Sequence, residues 1–381
     1  MIKIRCVLFI TLLISFQIFS GQKSTIEEVI DKITQKHFED SQNKGLSVGI
    51  IDGDSVQFFY FGGKHIKEIK DVGPNTLFEL GSITKLYTVH VFNELEKLEV
   101  ISRTDLLSKH LPVEIYEGKK WNNQIRLVDV ITHTSGLPPF SSTRELEAIK
   151  GFNSEDPYKV FDSNFILNTL KELNIISNYG TVSYSNFGYG VIGYVMQEVT
   201  STPFENLFEN FINIDLGLTN TYLKIPEEQF TNVATPHKGD EQVPLIQLYN
   251  LSPAGSVKST LPDVMKFLKY YLDTYDTSHH TKSIVSDQYP NADGIVPLGW
   301  GTIRKNNIDI FFHVGGTYGS NSIVCLIPEK KIGISILSNS NLNFSLSSVI
   351  WIASISTPMI STPKSSQIPF SSASMHKFKA V

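Results

Sequence analysis

Ser82 and Lys85 stand three residues apart in Phe78-Glu79-Leu80-Gly81-Ser82-Ile83-Thr84-Lys85-Leu86, where a glycine ends an extended run and a helical pattern starts. That spacing puts both side chains on one face of a helix. A serine hydroxyl is a poor nucleophile at neutral pH, and an amine held unprotonated beside it can take its proton. A helix start adds unpaired backbone N–H groups and a positive dipole end, which suit a developing oxyanion. Nucleophile, base and part of an oxyanion hole thus fall within four residues. Ser-x-x-Lys occurs five times, at Ser20, Ser41, Ser82, Ser361 and Ser374. Ser20 lies in an apolar leader, Ser41 in a polar turn, and the last two in a Ser- and Pro-rich tail. Ser82 alone has the strand–glycine–helix setting, and its competing reading is a plain helix cap.

Two further groups carry chemistry. Tyr184-Ser185-Asn186 lies between the turn at Asn178-Tyr179-Gly180 and a helix expected from Phe187. A tyrosine on such a loop can relay a proton if a cation lowers its pKa from about 10, and Lys85 is a candidate for that cation. Asn186 offers an amide donor for a substrate carbonyl. Tyr-x-Asn recurs at Tyr289-Pro290-Asn291, a Pro-bounded loop with no helix after it. The second group is His313-Val314-Gly315-Gly316, which ends a strand. Paired glycines let backbone N–H groups approach a ligand. The Gly316 N–H can join that of Ser82 as a two-donor oxyanion hole, worth about 3 kcal/mol per donor. His313 can hydrogen-bond or charge-pair with a substrate carboxylate. The bland readings are a packing tyrosine and a Gly-rich hairpin with a satisfied histidine.

The elements that must position these groups follow from periodicity. Strands are expected at 46–51 and 56–61, joined by Asp52-Gly53-Asp54, a strong hairpin signal. The helix from Ser82 runs to about Glu99, with Leu86, Val89, Phe92, Leu95 and Leu98 on one face. Residues 103 to about 280 read mostly as helices and loops, including helices near 162–173, 187–200 and 203–213. Strands return at 300–304, 308–313, 322–327 and 332–338. Terminal helices are expected at about 25–38 and 342–353. Strands at both ends and helices between them give an α/β (α+β) fold: one antiparallel sheet built from both termini, flanked by helices, with an inserted all-helical subdomain. The α/β part is expected at about 21–85 and 285–355 and the helical part at about 86–284. Residues 356–381, Ser- and Pro-rich with few apolar residues, read as a disordered tail.

The chain has 381 residues, 41% hydrophobic and 19% charged, enough for a large core. Residues 1–20 read as a secretory signal: Lys3 and Arg5, then an apolar stretch of 14 residues from Cys6 to Phe19, too short to span a bilayer comfortably, then small residues at Ser20-Gly21. A periplasmic or secreted protein without a membrane span after signal removal is expected. Losing Lys3 and Arg5 with the leader takes the formal charge from −5 to −7, which argues against a nucleic-acid partner. Cys325, in Ile323-Val324-Cys325-Leu326-Ile327, reads as a buried core residue rather than a disulfide partner. Gly188-Tyr189-Gly190-Val191-Ile192-Gly193 fits a dinucleotide fingerprint, yet a polar loop precedes it instead of a buried strand, so close helix packing is the expected role. The ten histidines show no metal-ligand spacing, and neither a metal nor a cofactor is expected. His133, among Thr, Ser, Gly and Pro, reads as a structural anchor of a turn.

Together, Ser82-x-x-Lys85, Tyr184-x-Asn186 and His313-Val314-Gly315 resemble the serine β-lactamase and penicillin-binding-protein superfamily. The branch is that of class C β-lactamases, D-alanyl-D-alanine carboxypeptidases and family VIII esterases. Further phrases match: Ile131-Thr132-His133-Thr134-Ser135-Gly136-Leu137-Pro138, Tyr184-Ser185-Asn186-Phe187-Gly188-Tyr189, Ser252-Pro253-Ala254-Gly255-Ser256 and Leu298-Gly299-Trp300-Gly301. The resemblance covers about residues 25–350 and implies the β-lactamase/transpeptidase-like fold and an exported serine hydrolase acting on an ester, amide or β-lactam. It makes Ser82 the acylated nucleophile, gives Lys85 and Tyr184 the base and acid roles in either order, lets Asn186 and His313-Val314-Gly315 meet substrate, and has Gly316 complete the oxyanion hole. Typical class C enzymes carry lysine where this chain has His313. Histidine, with a reference pKa near 6.5, is mostly neutral at pH 7, so a substrate carboxylate loses its handle. If His313 does contact an anionic substrate, a pH dependence near about 6.5 is expected. The alternative is a non-catalytic sensor of peptidoglycan fragments or β-lactams on the same scaffold, which has no need of Ser82, Lys85 and Tyr184 together.

Overall fold

The computed structural model describes Glu28, Ile30, Thr34 and residues 44–340, apart from 66–70, 141–142, 150, 154–155, 157, 162–163, 175, 177, 287–288, 292–293, 297 and 306. The leader at 1–20, the helices expected at 25–38 and 342–353, and the tail at 356–381 lie outside the described residues, apart from the three named positions.

Strand β1 (Leu46–Asp52) and β2 (Ser55–Phe61) form a hairpin, with Gly53 at a φ of 61° in its turn. Short strands follow: β3 (Leu77–Glu79) before the helical stretch, β4 (Thr221–Tyr222), β5 (His237–Lys238), β6 (Glu241–Gln242) and β7 (Lys258–Thr260) within it, and β8 (Tyr289–Asn291) and β9 (Gly294–Val296) just after it. The last four are β10 (Gly301–Lys305), β11 (Ile308–Gly316), β12 (Asn321–Ile327) and β13 (Ile332–Ser338). The main sheet runs β10-β11-β12-β13-β1-β2, antiparallel throughout. The C-terminal strand β13 therefore pairs with the N-terminal β1, Val48 opposite Ile336 and Ile50 opposite Ile334. Tyr289-Pro290-Asn291, expected as a loop, forms β8 instead.

The inner strands β12, β13 and β1 are buried on both faces, which is why β12 and β13 read as unbroken apolar runs rather than alternating ones, while the edge strand β2 is largely exposed. Leu46, Val48, Ile50, Ile323, Cys325, Ile334 and Ile336 form one cluster with Ile30. Ile51, Phe311, Val324, Leu326 and Leu337 face the other way, into the large core of the helical part. Cys325 is buried as expected, and burial pushes its thiol up to about 12. Gly49 lets a helix lie close on the sheet: a Cβ there would sit 2.5 Å from the Met265 sulfur.

Helix α1 (Thr84–Lys97) crosses the interior and is buried on nearly every side from Thr84 to Asn93. It stops two residues short of expectation: Leu98 is 62% exposed, and the chain turns at Glu99 with a φ of 59°. Helices α2 (Leu127–Ile131) and α3 (Phe165–Glu172) pack on α4 (Asn186–Thr200), which with α5 (Ser252–Gly255) packs on α1, and α6 (Leu261–Thr274) stacks Phe267 on Tyr87. The inserted stretch is mostly helical but supplies β7 and β4 to a three-stranded sheet, β3-β7-β4, whose third strand precedes it. Helix α6, which follows β7 directly, packs on β13 and β1 of the main sheet.

Candidate active site

Ser82 sits in a 3-10 turn, Gly81–Ile83, between β3 and α1. Gly81 has a φ of 50°, and a Cβ there would meet Gly316 O at 2.5 Å and Gly316 N at 2.7 Å. A Cβ on Gly315 would run into the Leu80 carbonyl, and the Ser322 hydroxyl donates to that carbonyl at 2.8 Å. Only paired glycines allow the turn and the end of β11 to abut this closely.

Lys85 is wholly buried beneath Ser82. Its Nζ lies 3.3 Å from Ser82 Oγ, 2.8 Å from Asn186 Oδ1 and 2.6 Å from the Ala254 carbonyl. It also lies over the rings of Tyr184 at 4.7 Å and Tyr189 at 5.4 Å. Burial holds the Lys85 amine well below its ordinary range. Nζ donates in all three contacts; a deprotonated Lys85 would keep hydrogens for the two shorter ones and leave its lone pair to Ser82.

The Tyr184 hydroxyl donates to Ser82 Oγ in a short contact. Burial pushes the phenol up, and the bond to Ser82 only partly offsets that. A phenolate lowered by a Lys85 cation is therefore not what the site contains: the phenol keeps its proton. Helix α4 begins at Asn186, one residue earlier than expected, capped by Ser185 Oγ accepting from Gly188 N–H at 2.8 Å. The cap fixes Tyr184 and Asn186 at the helix mouth. His133, with a φ of 61°, accepts the Ser185 N–H at Nδ1 (3.1 Å), and its ring lies 4.6 Å from that of Tyr184. It anchors the turn and also braces the tyrosine.

His313 is buried on β11, opposite Val324. Its Nδ1 lies 2.8 Å from the Val314 carbonyl, so Nδ1 carries the hydrogen. Burial is the main cause, and it pushes the pKa down to about 3. The titration near 6.5 expected from its reference value is thereby corrected: His313 is neutral across the physiological range.

Ser82, Lys85, Tyr184 and Asn186 thus converge in direct contact, and Gly315 and Gly316 abut the Ser82 turn. Sequence reasoning missed Glu79, Lys258 and the Ala254 carbonyl. The first two are buried charges next to motif residues, a signal that was present in Phe78-Glu79 and Val257-Lys258. The fingerprint glycines lie in α4, not after a strand; a Cβ on Gly190 would sit 2.5 Å from Leu251 Cδ2. They let α4 press on the segment that presents the Ala254 carbonyl. Among the described residues no group of three His, Cys, Asp or Glu could hold a metal ion, and no helix is long and apolar enough to cross a membrane.

The fold is that of the class C β-lactamases. A solved class C beta-lactamase superposes with a TM-score of 0.74 at 20% identity, covering 90% of this chain and 98% of that one. The class C beta lactamase from Rhodobacter sphaeroides gives 0.73 at 19%, covering 87% and 99%. The beta-lactamase family profile matches residues 30–351, and the chain belongs to that family. It is a serine hydrolase by that membership. Relatives include the beta-lactamase of Yersinia enterocolitica, 24% identical over 336 residues (78% of this chain, 82% of that protein). That of Lysobacter lactamgenus is 23% identical over 371 residues (88% and 92%). Protein flp of Staphylococcus aureus (strain N315) is 22% identical over 328 residues (83% and 63%).

Proposed function

We propose that the protein is an exported hydrolase that cleaves esters or amides through an acyl-enzyme on Ser82. The observation that carries this reading is the double contact at Ser82 Oγ, with Lys85 Nζ at 3.3 Å on one side and the Tyr184 hydroxyl on the other. Lys85, neutral, takes the Ser82 proton as Oγ bonds to the substrate carbonyl carbon. The carbonyl electron pair moves to oxygen, where the N–H groups of Ser82 and Gly316 receive it. On collapse the leaving alkoxide or amine takes a proton from Tyr184, and the Lys85 ammonium returns one to the phenolate. Asn186, which faces Lys85 with its oxygen, donates its amide hydrogens to Phe140 O at 3.3 Å and to substrate. Water then attacks the acyl-enzyme by the reverse proton path.

His313 supports a preference for substrates without a carboxylate at that position. Its Nδ1–H is taken by Val314, so the neutral ring has only the Nε2 lone pair left, and a lone pair does not hold a carboxylate. Neutral esters and amides suit this site, and β-lactams, which carry a carboxylate, suit it less. The basic and apolar start of the chain supports export to the periplasm or exterior. Residues 21–355 form the hydrolase domain in this reading.

The test is trapping. A fluorophosphonate or a labelled penicillin should add its mass to the Ser82 peptide of the native protein and not to Ser82→Ala. Binding without covalent addition, and no turnover of p-nitrophenyl esters, would mark a sensor on the same scaffold.

A further inference from the structure

Glu79 is a carboxylate that the acyl transfer does not use. It is 2% exposed and lies three residues before Ser82. Its Oε1 accepts the Ile246 N–H at 2.6 Å. Its Oε2 accepts the Thr317 hydroxyl at 2.5 Å and the Ser320 hydroxyl at 3.1 Å. Thr317 directly follows Gly316. The turn it starts is closed on itself: Thr317 N–H donates to Ser320 O at 3.0 Å, and Ser320 N–H donates to Thr317 Oγ1 at 3.1 Å. Lys258 lies opposite Glu79 in the β3–β7 register, and its Nζ donates to the Ile246 carbonyl at 3.0 Å. One carboxylate thus grips β3, the loop at Ile246 and the turn after β11.

This arrangement has a chemical reason. Three donors converge on the carboxyl, whose two oxygens have lone pairs for them all. Bonds to a charged acceptor are about twice as strong as neutral ones. The nearby Lys258 partly offsets the cost of burying the charge. The segments joined are those that carry Ser82 N–H and Gly316 N–H, whose backbones meet at Gly81 and Gly316.

We propose that Glu79 is a positioning residue for the oxyanion hole, setting the spacing of the Ser82 and Gly316 N–H groups by tying the Thr317–Ser320 turn to β3. The inference rests on the acyl-enzyme reading above. Donors must sit about 2.7–3.1 Å from the oxyanion, and a misplacement of about 1 Å costs on the order of 100-fold. Glu79 therefore acts on the charged transition state and leaves ground-state binding alone.

The experiment compares the native protein with Glu79→Gln, Thr317→Val and Thr317→Ser. Each is assayed on an ester and on its thionoester, whose sulfur accepts hydrogen bonds poorly, and titrated with phenylboronic acid, which adds to a nucleophilic serine as a tetrahedral anion. Glu79→Gln and Thr317→Val should lose about 10- to 100-fold in kcat with KM little changed. Boronate affinity should fall by a similar factor, and the ester-to-thionoester rate ratio should move toward one. Thr317→Ser, which keeps the hydroxyl, should restore most of each. Full rates in Thr317→Val would overturn the proposal, as would a loss confined to KM with the boronate and thionoester readouts unmoved. If Glu79→Gln does not fold, the Thr317 pair decides. Full activity in Ser82→Ala would instead remove the underlying reading, so the two failures are distinguishable.

Discussion

Two hydrogen-bonding groups meet at Ser82 Oγ, and their surroundings separate their roles. Burial acts on both Lys85 and Tyr184 by opposing charge, so it favours a free amine and an intact phenol. In the proposed mechanism the amine is therefore the base and the phenol the acid. Lys85→Ala and Tyr184→Phe should each cost several orders of magnitude in kcat/KM, and the double variant far less than the product of the two. Simple multiplication of the losses would separate them into independent groups. Lys85→Arg, which keeps a proton at any accessible pH, should be as inactive as Lys85→Ala and should not recover in alkali. His313 allows a second test at this scale. Held neutral down to about pH 3, it should leave no step near pH 6.5 in kcat/KM on p-nitrophenyl acetate or nitrocefin. His313→Lys should raise nitrocefin efficiency by roughly tenfold, about the worth of one charged hydrogen bond, and change p-nitrophenyl acetate little. Rapid nitrocefin hydrolysis by the native protein would show that the missing cation does not limit β-lactam use.

At the scale of elements, the contact between the Ser82 turn and β11 depends on two missing side chains. Gly315→Ala would drive a methyl group against the Leu80 carbonyl, and Gly81→Ala would meet Gly316 while holding a left-handed φ. Both should lose at least about 100-fold in kcat/KM, since the oxyanion donors lie on these two segments. Gly73→Ala, whose Cβ has nothing within 4 Å, should match the native protein in activity and melting temperature. The long elements were legible in the sequence because they carry a period or a turn signal. Asp52-Gly53-Asp54 marked the β1–β2 hairpin, and the apolar runs marked β12 and β13 to within a residue. Strands β3, β4 and β7, of two or three residues, carry no period to read. Leu98 fitted the helical stripe but falls where the chain already turns. In the site, Ser82, Lys85, Tyr184 and Asn186 were named from motif order. What one strand does to another, such as Glu79 reaching Thr317, has no local signature. The protonation states of Tyr184 and His313 depend on burial, which no spacing reveals.

At the scale of the whole molecule, several histidines among the described residues titrate unlike a free imidazole, His90, His133 and His313 among them. Burial lowers all of them, His90 and His313 to about 3. His90 belongs to the packing of α1 on α6, where its Nδ1 lies 3.0 Å from the Tyr271 hydroxyl. In the unfolded chain each histidine titrates near 6.5. Between about 6.5 and 3 the unfolded state therefore binds more protons, so stability falls as pH falls through that window and is complete above it. Thermal melts at pH 7.5, 6, 5 and 4 should show a steady loss beginning below about 6.5. His90→Gln, away from Ser82, should flatten part of the slope; an unchanged slope would assign it to the other groups.

The pairing of β1 with β13 has a consequence in time. Residues 46–52 find their partner only at 332–338, and Ser82, Tyr184 and Gly316 are likewise scattered along the chain. A polypeptide emerging from the ribosome can build the β1–β2 hairpin at once. It cannot complete the main sheet until β13 has been synthesised. Contacts of such long sequence separation fold slowly, and an incomplete chain exposes the β1 edge that β13 will later cover. A fragment ending before residue 332 should be unfolded by circular dichroism and unreactive toward fluorophosphonate, however intact its Ser82 motif. A nascent chain that stays unfolded until its last strand is made is also one that a translocation machinery can still thread.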